Sequence, residues 1–301
     1  MGRIKGIVMI ITGAMLWGAT GPMMEWILLN GDMSVSYMLT VRLLIAGTCL
    51  LFMLKLRGKR IGLPWKQKVW ARQLLIFGVL GMLGVQFTFV ASIESSNAVI
   101  ATLFQFLAPI FIIIFVTFTQ KVWPPVVQVL GMFVTLIGLF LLLTNGSFSG
   151  FALSKVAVAW GIALGFTFSF YTLYPVRLMQ EWGVLLVIGW AMIIGGLTLF
   201  VTNPLNVILH LDYLADWGVT AMLCLVIIVG TLAFILFMSS MKYISPVETS
   251  ILSSFEPLTA MVISVLWFGQ VLGMWQLAGG IVMLIGVTWL SIAGSKKKAE
   301  E

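Results

Sequence analysis

The chain has 301 residues, 61% of them hydrophobic and only 9% charged, with a formal net charge of +7. Soluble domains carry about 25% charged residues, so a water-solvated globular surface is excluded and an all-α integral membrane protein is expected. The single His210 and the two cysteines, Cys49 and Cys224, speak against a disulfide framework or a Cys/His metal centre, and neither metal nor cofactor is expected.

A membrane-crossing helix needs about 20 mainly apolar residues. Ten such runs follow in chain order: 4–29, 35–54, 73–92, 98–119, 125–143, 152–174, 184–201, 217–241, 246–267 and 274–293. The first follows Arg3 and Lys5 but is longer than the apolar part of a signal peptide, so it is expected to stay as a span. With the N-terminus placed in the cytoplasm, every Lys and Arg outside a span falls on the cytoplasmic side except Lys155. The cluster Lys55, Arg57, Lys59, Arg60, Lys66, Lys68 and Arg72 dominates that count. Such a bias sets membrane topology, and it predicts cytoplasmic N- and C-termini and a cell-membrane location. The basic residues flank apolar runs and form no stripe interleaved with aromatics, so nucleic acid is rejected as a partner. The expected partners are the lipid bilayer and a small-molecule substrate.

Residues 128–138 read QVLGMFVTLIG and residues 276–286 read QLAGGIVMLIG, the same Q-x-x-G-x-x-x-x-L-I-G pattern 148 positions apart. The same offset carries Gly47 onto Gly195, Val99 onto Val247 and Pro109 onto Pro257. One unit is used twice. Five spans per unit make the second copy run upside down, which predicts ten transmembrane helices in two inverted five-helix repeats. The expected divisions are 4–144, 152–293 and a basic tail, 294–301. Loop charges follow the inversion: the basic cluster after the second span corresponds to LNVILHLDYLADW, which holds Asp212 and Asp216 but no Lys or Arg. Inverted repeats build many secondary transporters, with the substrate site between the halves.

The segments MLWGATGP (15–22), LTVRLLIAG (39–47), SSNAVIATLFQFLAPIF (95–111) and SPVETSILSSFEPLTA (245–260), with the doubled motif, resemble the EamA-type members of the drug/metabolite transporter superfamily over nearly the whole chain. That resemblance implies a metabolite or drug carrier, frequently an exporter. The family often carries Gly-Glu after the fourth and ninth spans. This chain has Gln120-Lys121 and Gly269-Gln270 there, so no acidic role transfers to those positions.

Charged groups deep in a membrane are costly and mark function by default. Glu25, Arg42, Glu248 and Glu256 are the candidates. Glu25 and Arg42 either form a structural ion pair between the first two spans or face a cavity in which Arg42 attracts an anionic group. Glu256 precedes Pro257, and Gln105 lies one turn before Pro109. Proline removes a backbone donor and frees a carbonyl, and in a membrane such irregular backbone commonly lines a cavity. Pro22, Pro109 and Pro257 are the expected helix kinks, and Glu25 and Glu256 the candidates for carrying a proton. Glu248, within a turn of the cytoplasmic end, is expected to snorkel to water. Trp17, Tyr171, Trp190 and Phe106 lie deep, unlike Trp123, Trp182, Tyr213, Trp217, Tyr243 and Trp275, which suit the interfaces. The substrate-binding candidates are therefore Trp17, Glu25, Arg42, Gln105, Tyr171, Trp190, Ser253 and Glu256, with interhelical packing or bonding as the alternative for each serine and aromatic. Gly131, Gly138, Gly279 and Gly286 are read as packing or homodimer-contact positions, and Gly161 and Gly165 as a close helix approach.

The chain has neither a nucleotide-binding loop nor the clustered acids, histidines or nucleophile–base pair of an enzyme. The expected activity is secondary active transport of a small metabolite, such as an amino acid or a related amphipathic compound, by alternating access. A membrane channel or non-transporting sensor is the alternative.

Overall fold

The computed structural model describes residues 2–31, 33–96, 98–121, 123, 125–148, 153–202, 204, 215–269 and 271–296. Among them the fold is helical without strands. The expected positions Ala152, His210, Asp212, Tyr213, Gln270 and the tail from Lys297 lie outside the described residues, as does the side chain of Glu25.

Eight helical segments are long and apolar enough to cross a membrane, and two shorter apolar helices, Val129–Thr144 and Met274–Gly286, accompany them. In chain order the elements are α1 (Gly2–Gly31), α2 (Val35–Leu56), α3 (Lys68–Ile76), a π-helical turn (Phe77–Leu83), α4 (Gly84–Ser95), α5 (Ala98–Gln105), α6 (Ala108–Gln120), α7 (Val126–Thr144), α8 (Lys155–Leu173), α9 (Val176–Trp182), α10 (Val184–Thr202), α11 (Trp217–Ser240), α12 (Pro246–Leu252), α13 (Phe255–Phe268) and α14 (Met274–Lys296). Several starts are fixed by side chains that accept from otherwise orphaned backbone N–H groups. Ser34 accepts from Tyr37, Ser154 from Ala157 and Asp216 from Val219. Ser245 and Glu248 form a reciprocal capping box at α12.

The structure modifies four of the expected spans. The third span starts at Lys68 and contains the π-helical turn. The sixth is followed by the separate short helix α9, starting just after Pro175. The fourth and ninth are each two helices, interrupted at 106–107 and 253–254. Pro109 and Pro257 sit in the first turn of the resumed helices α6 and α13, where a missing N–H costs nothing. Pro22, by contrast, lies inside α1, which continues from Gly2 to Gly31 without a break.

The 148-residue offset reappears in the backbone. Adding it to the bounds of α5 and α6 reproduces those of α12 and α13 to within a residue. Lys121 and Gly269, one offset apart, both adopt the left-handed conformation just after those helices, with φ of 54° and 65°.

Helix pairing also has a symmetric form: α1 packs on α11 and on α12–α13, while α8 packs on the π-helical turn with α4 and on α5–α6. The pairs α2·α10 and α7·α14 join equivalent helices of the two units. Between α7 and α14 the doubled glycines serve close approach: a Cβ on Gly138 would lie 2.5 Å from Met283 N and 2.8 Å from the carbonyl oxygen of Gly279. Gly279 and Gly286 are equally crowded, by Leu142 and Thr135. These glycines therefore pack within the chain. Gly161 and Gly165 do likewise against Phe104 and Phe111.

Overpacking a close contact costs about 1–3 kcal/mol. Gly138→Val is expected to lower the thermal unfolding midpoint of the detergent-purified protein by several degrees. Gly62→Val, at a loop position with open space around it, is expected to leave it unchanged.

Candidate substrate site

The two helix breaks meet across the units. Gln105, the last residue of α5, donates from Nε2 to Glu256 Oε2 at 3.3 Å. Gln105 is buried, and Glu256 is in the first turn of α13. The carbonyl that Pro257 leaves without its usual donor, that of Ser253, accepts instead from the Glu256 N–H at 2.9 Å. Helix α1 closes over this break: a Cβ on Gly18 would collide with the Glu256 carbonyl, so glycine at 18 lets α1 lie against exposed backbone. The corresponding position in the first unit is Ala108, whose carbonyl accepts the Ser169 hydroxyl of α8 at 3.2 Å. Thus α1 and α8 cover equivalent breaks, but only the second carries a carboxyl group.

Next to Gly18, Trp17 is the hub of an aromatic cluster. Its ring lies 4.6 Å from Phe234, 5.6 Å from Phe237, 6.1 Å from Phe168 and 6.5 Å from Tyr171, centroid to centroid. The π-helical turn delivers Phe77 to stack on Tyr171 at 5.9 Å. Glycine at 81 leaves room for that ring, since a Cβ there would lie 2.6 Å from it. Irregular turns of this kind often mark functional positions.

Arg42 borders the same cluster. It is 4% exposed, with its guanidinium carbon 5.6 Å over the Phe234 ring. Its Nη1 donates to the sulfur of Met24 at 3.7 Å, a weak acceptor. Gly230 admits the head group, because a Cβ there would sit 2.8 Å from Nη2. Among the described residues Nη2 has no hydrogen-bond partner, and neither does the fully buried Tyr171 Oη. A cation–π contact desolvated in this way contributes roughly 2 kcal/mol, less than the several kcal/mol that burying a charge costs. The imbalance suits a group kept for function.

The remaining candidates make other contacts. Trp190 donates from Nε1 to the Ile61 carbonyl at 2.9 Å and packs edge-on against Trp65 at 5.0 Å, so it anchors the basic loop after α2. Ser253 is buried in the second break, and its hydroxyl donates to the Ser250 carbonyl at 2.7 Å. Phe106 is buried in the first break, packed with Leu139 and Leu258. Glu248 completes the α12 cap and pairs with Arg3 at 2.8 Å. Residues that sequence reasoning passed over are Met24, Phe168, Gly230, Phe234 and Phe237. Gly230, Phe234 and Phe237 sit within a long apolar run, where no pattern separates a residue facing a site from one facing lipid. Gly18 stood beside a flagged tryptophan without being singled out.

A helical, multi-pass membrane protein with polar groups buried at its centre is the class this arrangement defines. The EamA-like transporter family model matches residues 4–144 and 155–292, and the chain belongs to that family, part of the drug/metabolite transporter superfamily. It is 33% identical over 294 residues to the uncharacterized inner membrane transporter YicL of Salmonella typhimurium, covering 97% of each chain. It is 27% identical over 217 residues to an uncharacterized transporter of Archaeoglobus fulgidus, covering 72% of this chain and 75% of that one. A protein of known crystal structure shares the fold at a TM-score of 0.75, with 17% identity, 97% of this chain and 98% of that chain covered. The family and its transporter-named members point to transport rather than catalysis.

If Arg42 is retained for function against its stability cost, Arg42→Met should raise stability. The expected gain is about 1–4 kcal/mol, the range seen when buried ionic groups are replaced by apolar ones of similar volume. Chemical unfolding in detergent checks this, and a loss of stability would make Arg42 a structural residue.

Proposed function

We propose that the protein is a secondary active carrier that moves a small amphipathic metabolite, such as an amino acid or a related compound, out across the cell membrane by alternating access. The observation that carries this reading is the meeting of two helix breaks from the two units at the Gln105–Glu256 hydrogen bond, near an aromatic cluster and a buried arginine whose Nη2 has no partner among the described residues. Broken helices at a repeat interface are the usual setting of a carrier's site.

In the proposed topology ten helices cross in two inverted five-helix repeats, with both termini in the cytoplasm. Contacts between helix ends support it. Arg3 pairs with Glu248 and Lys5 lies 5.2 Å over the Tyr243 ring, grouping three cytoplasmic ends of that scheme. The bond from Trp190 to Ile61 joins the seventh span to the cytoplasmic basic loop. Gly146 packs on Trp275, joining two ends assigned to the outside. The pairwise exchange of helix partners between the units supports the two-fold relation that inversion requires.

Glu256 is the proposed proton carrier, since its hydrogen bond to Gln105 ties protonation to the contact between the breaks. A protonated carboxyl can keep one oxygen as acceptor while donating from the other, so the bond need not break but its charge is lost. Glu25 is the second candidate, placed by sequence alone.

In proteoliposomes, flux should saturate with substrate and be accelerated by substrate on the opposite side. Flux that rises without saturation would indicate a channel. Glu256→Gln is expected to retain exchange but to flatten the dependence of net flux on a pH gradient, and an unchanged pH profile would remove Glu256 from coupling.

A further inference from the structure

Two buried donors border one aromatic cluster and have no acceptor among the described residues: Arg42 Nη2 and Tyr171 Oη. Both belong to residues touching Phe234. Arg42 lies over its face at 5.6 Å, and the Tyr171 ring meets it at 6.0 Å with an interplanar angle of 76°. Arg42 comes from α2, Tyr171 from α8 and Phe234 from α11, so the two donors are brought together only by the fold. Helix α8 belongs to the second unit and α2 to the first, which puts the pair at the seam between them.

The described surroundings are mainly aromatic and apolar. Around the cluster stand Trp17, Phe168, Phe234 and Phe237, together with Met24, whose sulfur is the acceptor for Nη1. No carboxylate among the described side chains, which do not include that of Glu25, pairs with Arg42. Glu256 is not its counter-ion either. Met24, which touches Arg42, and Gly18, which touches Glu256, are separated by six positions on α1, about 9 Å along the helix axis.

The structure assigns Arg42 and Tyr171 as the receptor for the single anionic group, a carboxylate, of a substrate whose remaining body is apolar. The substrate class is thus an amphipathic organic monoanion, with the aromatic cluster taking the apolar body. This rests on the carrier reading above and narrows its substrate to monoanions, setting zwitterionic amino acids aside in favour of related compounds without the ammonium group. A guanidinium presents planar donors that match a carboxylate, and charge-assisted hydrogen bonds are about twice as strong as neutral ones. A phenol supplies a further donor without adding charge. Gly230 fits this role as the residue that gives the head group its room. Rings around a cation would equally attract an ammonium substrate, but Arg42 repels one.

The test uses three compounds on one skeleton, 3-phenylpropionate, 3-phenylpropanamide and 2-phenylethylammonium, titrated calorimetrically into the detergent-purified full chain. The anion is expected to bind roughly tenfold or more tighter than the amide, as a charge-assisted contact does over a neutral one, and the ammonium weakest. Arg42→Gln should bring the anion down to the level of the amide. Arg42→Lys should keep part of the preference, and Tyr171→Phe should weaken the anion several-fold and the amide by less. A cooperative thermal unfolding transition like that of the parent protein shows that each variant is folded. If Arg42→Gln yields no folded protein, Arg42→Lys and Tyr171→Phe still decide. Anion and amide binding equally, or an anion preference that survives in Arg42→Gln, overturns the assignment.

Flux of the same compounds into proteoliposomes is read separately. Anion-selective binding without saturable flux defeats the carrier reading and leaves the receptor standing. Saturable flux of the ammonium compound, with no anion preference in binding, does the reverse.

Discussion

Everything about this fold answers to one constraint: in a hydrocarbon medium each backbone polar group must find a partner inside the protein. Continuous helices satisfy it by themselves. The interruptions at 106–107 and 253–254 do not, and their free groups have to be met by neighbours. At the second break the Ser253 carbonyl accepts from the Glu256 N–H. The Ser169 hydroxyl donates to the Ala108 carbonyl and Gly18 lets α1 lie against the Glu256 carbonyl, so each break is covered by a helix of the other half. The hydrogen bond from the Gln105 side chain to the Glu256 carboxyl joins no backbone group; it is the contact through which the two breaks meet. Because it needs a side chain from each half, displacement of one half against the other changes it directly.

The duplication also shows where the halves have parted. The doubled glycines of α7 and α14 have kept one task, packing those helices together, which explains why that segment preserves its sequence so visibly. The breaks have diverged: Ala108 and Glu256 occupy equivalent positions, and only Glu256 can carry charge. Arg42 and Trp190 are equivalent too, but they serve different ends. One borders the aromatic cluster and the other ties down the basic loop through Ile61. The asymmetry at Glu256 and Arg42 thus falls at the centre, and that at Trp190 falls at the rim.

Much of this was legible in the sequence, for physical reasons. Long apolar runs, basic loops and an internal repeat are patterns that survive without knowledge of neighbours. Prolines at 109 and 257 marked the breaks because proline fits no helix interior comfortably. Pro22 marks no such break, since α1 continues through it. The cage around Arg42 was not legible. Gly230 and Phe234 lie in α11, a helix apolar on every side, where membrane-facing and protein-facing positions look alike. The π-helical turn at Phe77–Leu83 was hidden as well, because its glycines read equally well as helix packing. Trp190 shows the limit of depth as a guide, for its indole found a loop carbonyl rather than the site.

The central claim is that two copies of one unit run in opposite directions around this centre. Lys121 and Gly269 offer the most direct test, because they are equivalent positions with the same left-handed backbone and should face opposite sides. In a background with Cys49 and Cys224 replaced by alanine, Lys121→Cys and Gly269→Cys are labelled in intact cells and in inverted vesicles with a membrane-impermeant thiol reagent. The inverted arrangement predicts labelling of Gly269→Cys in intact cells only and of Lys121→Cys in inverted vesicles only. Labelling of both from the same side would contradict it.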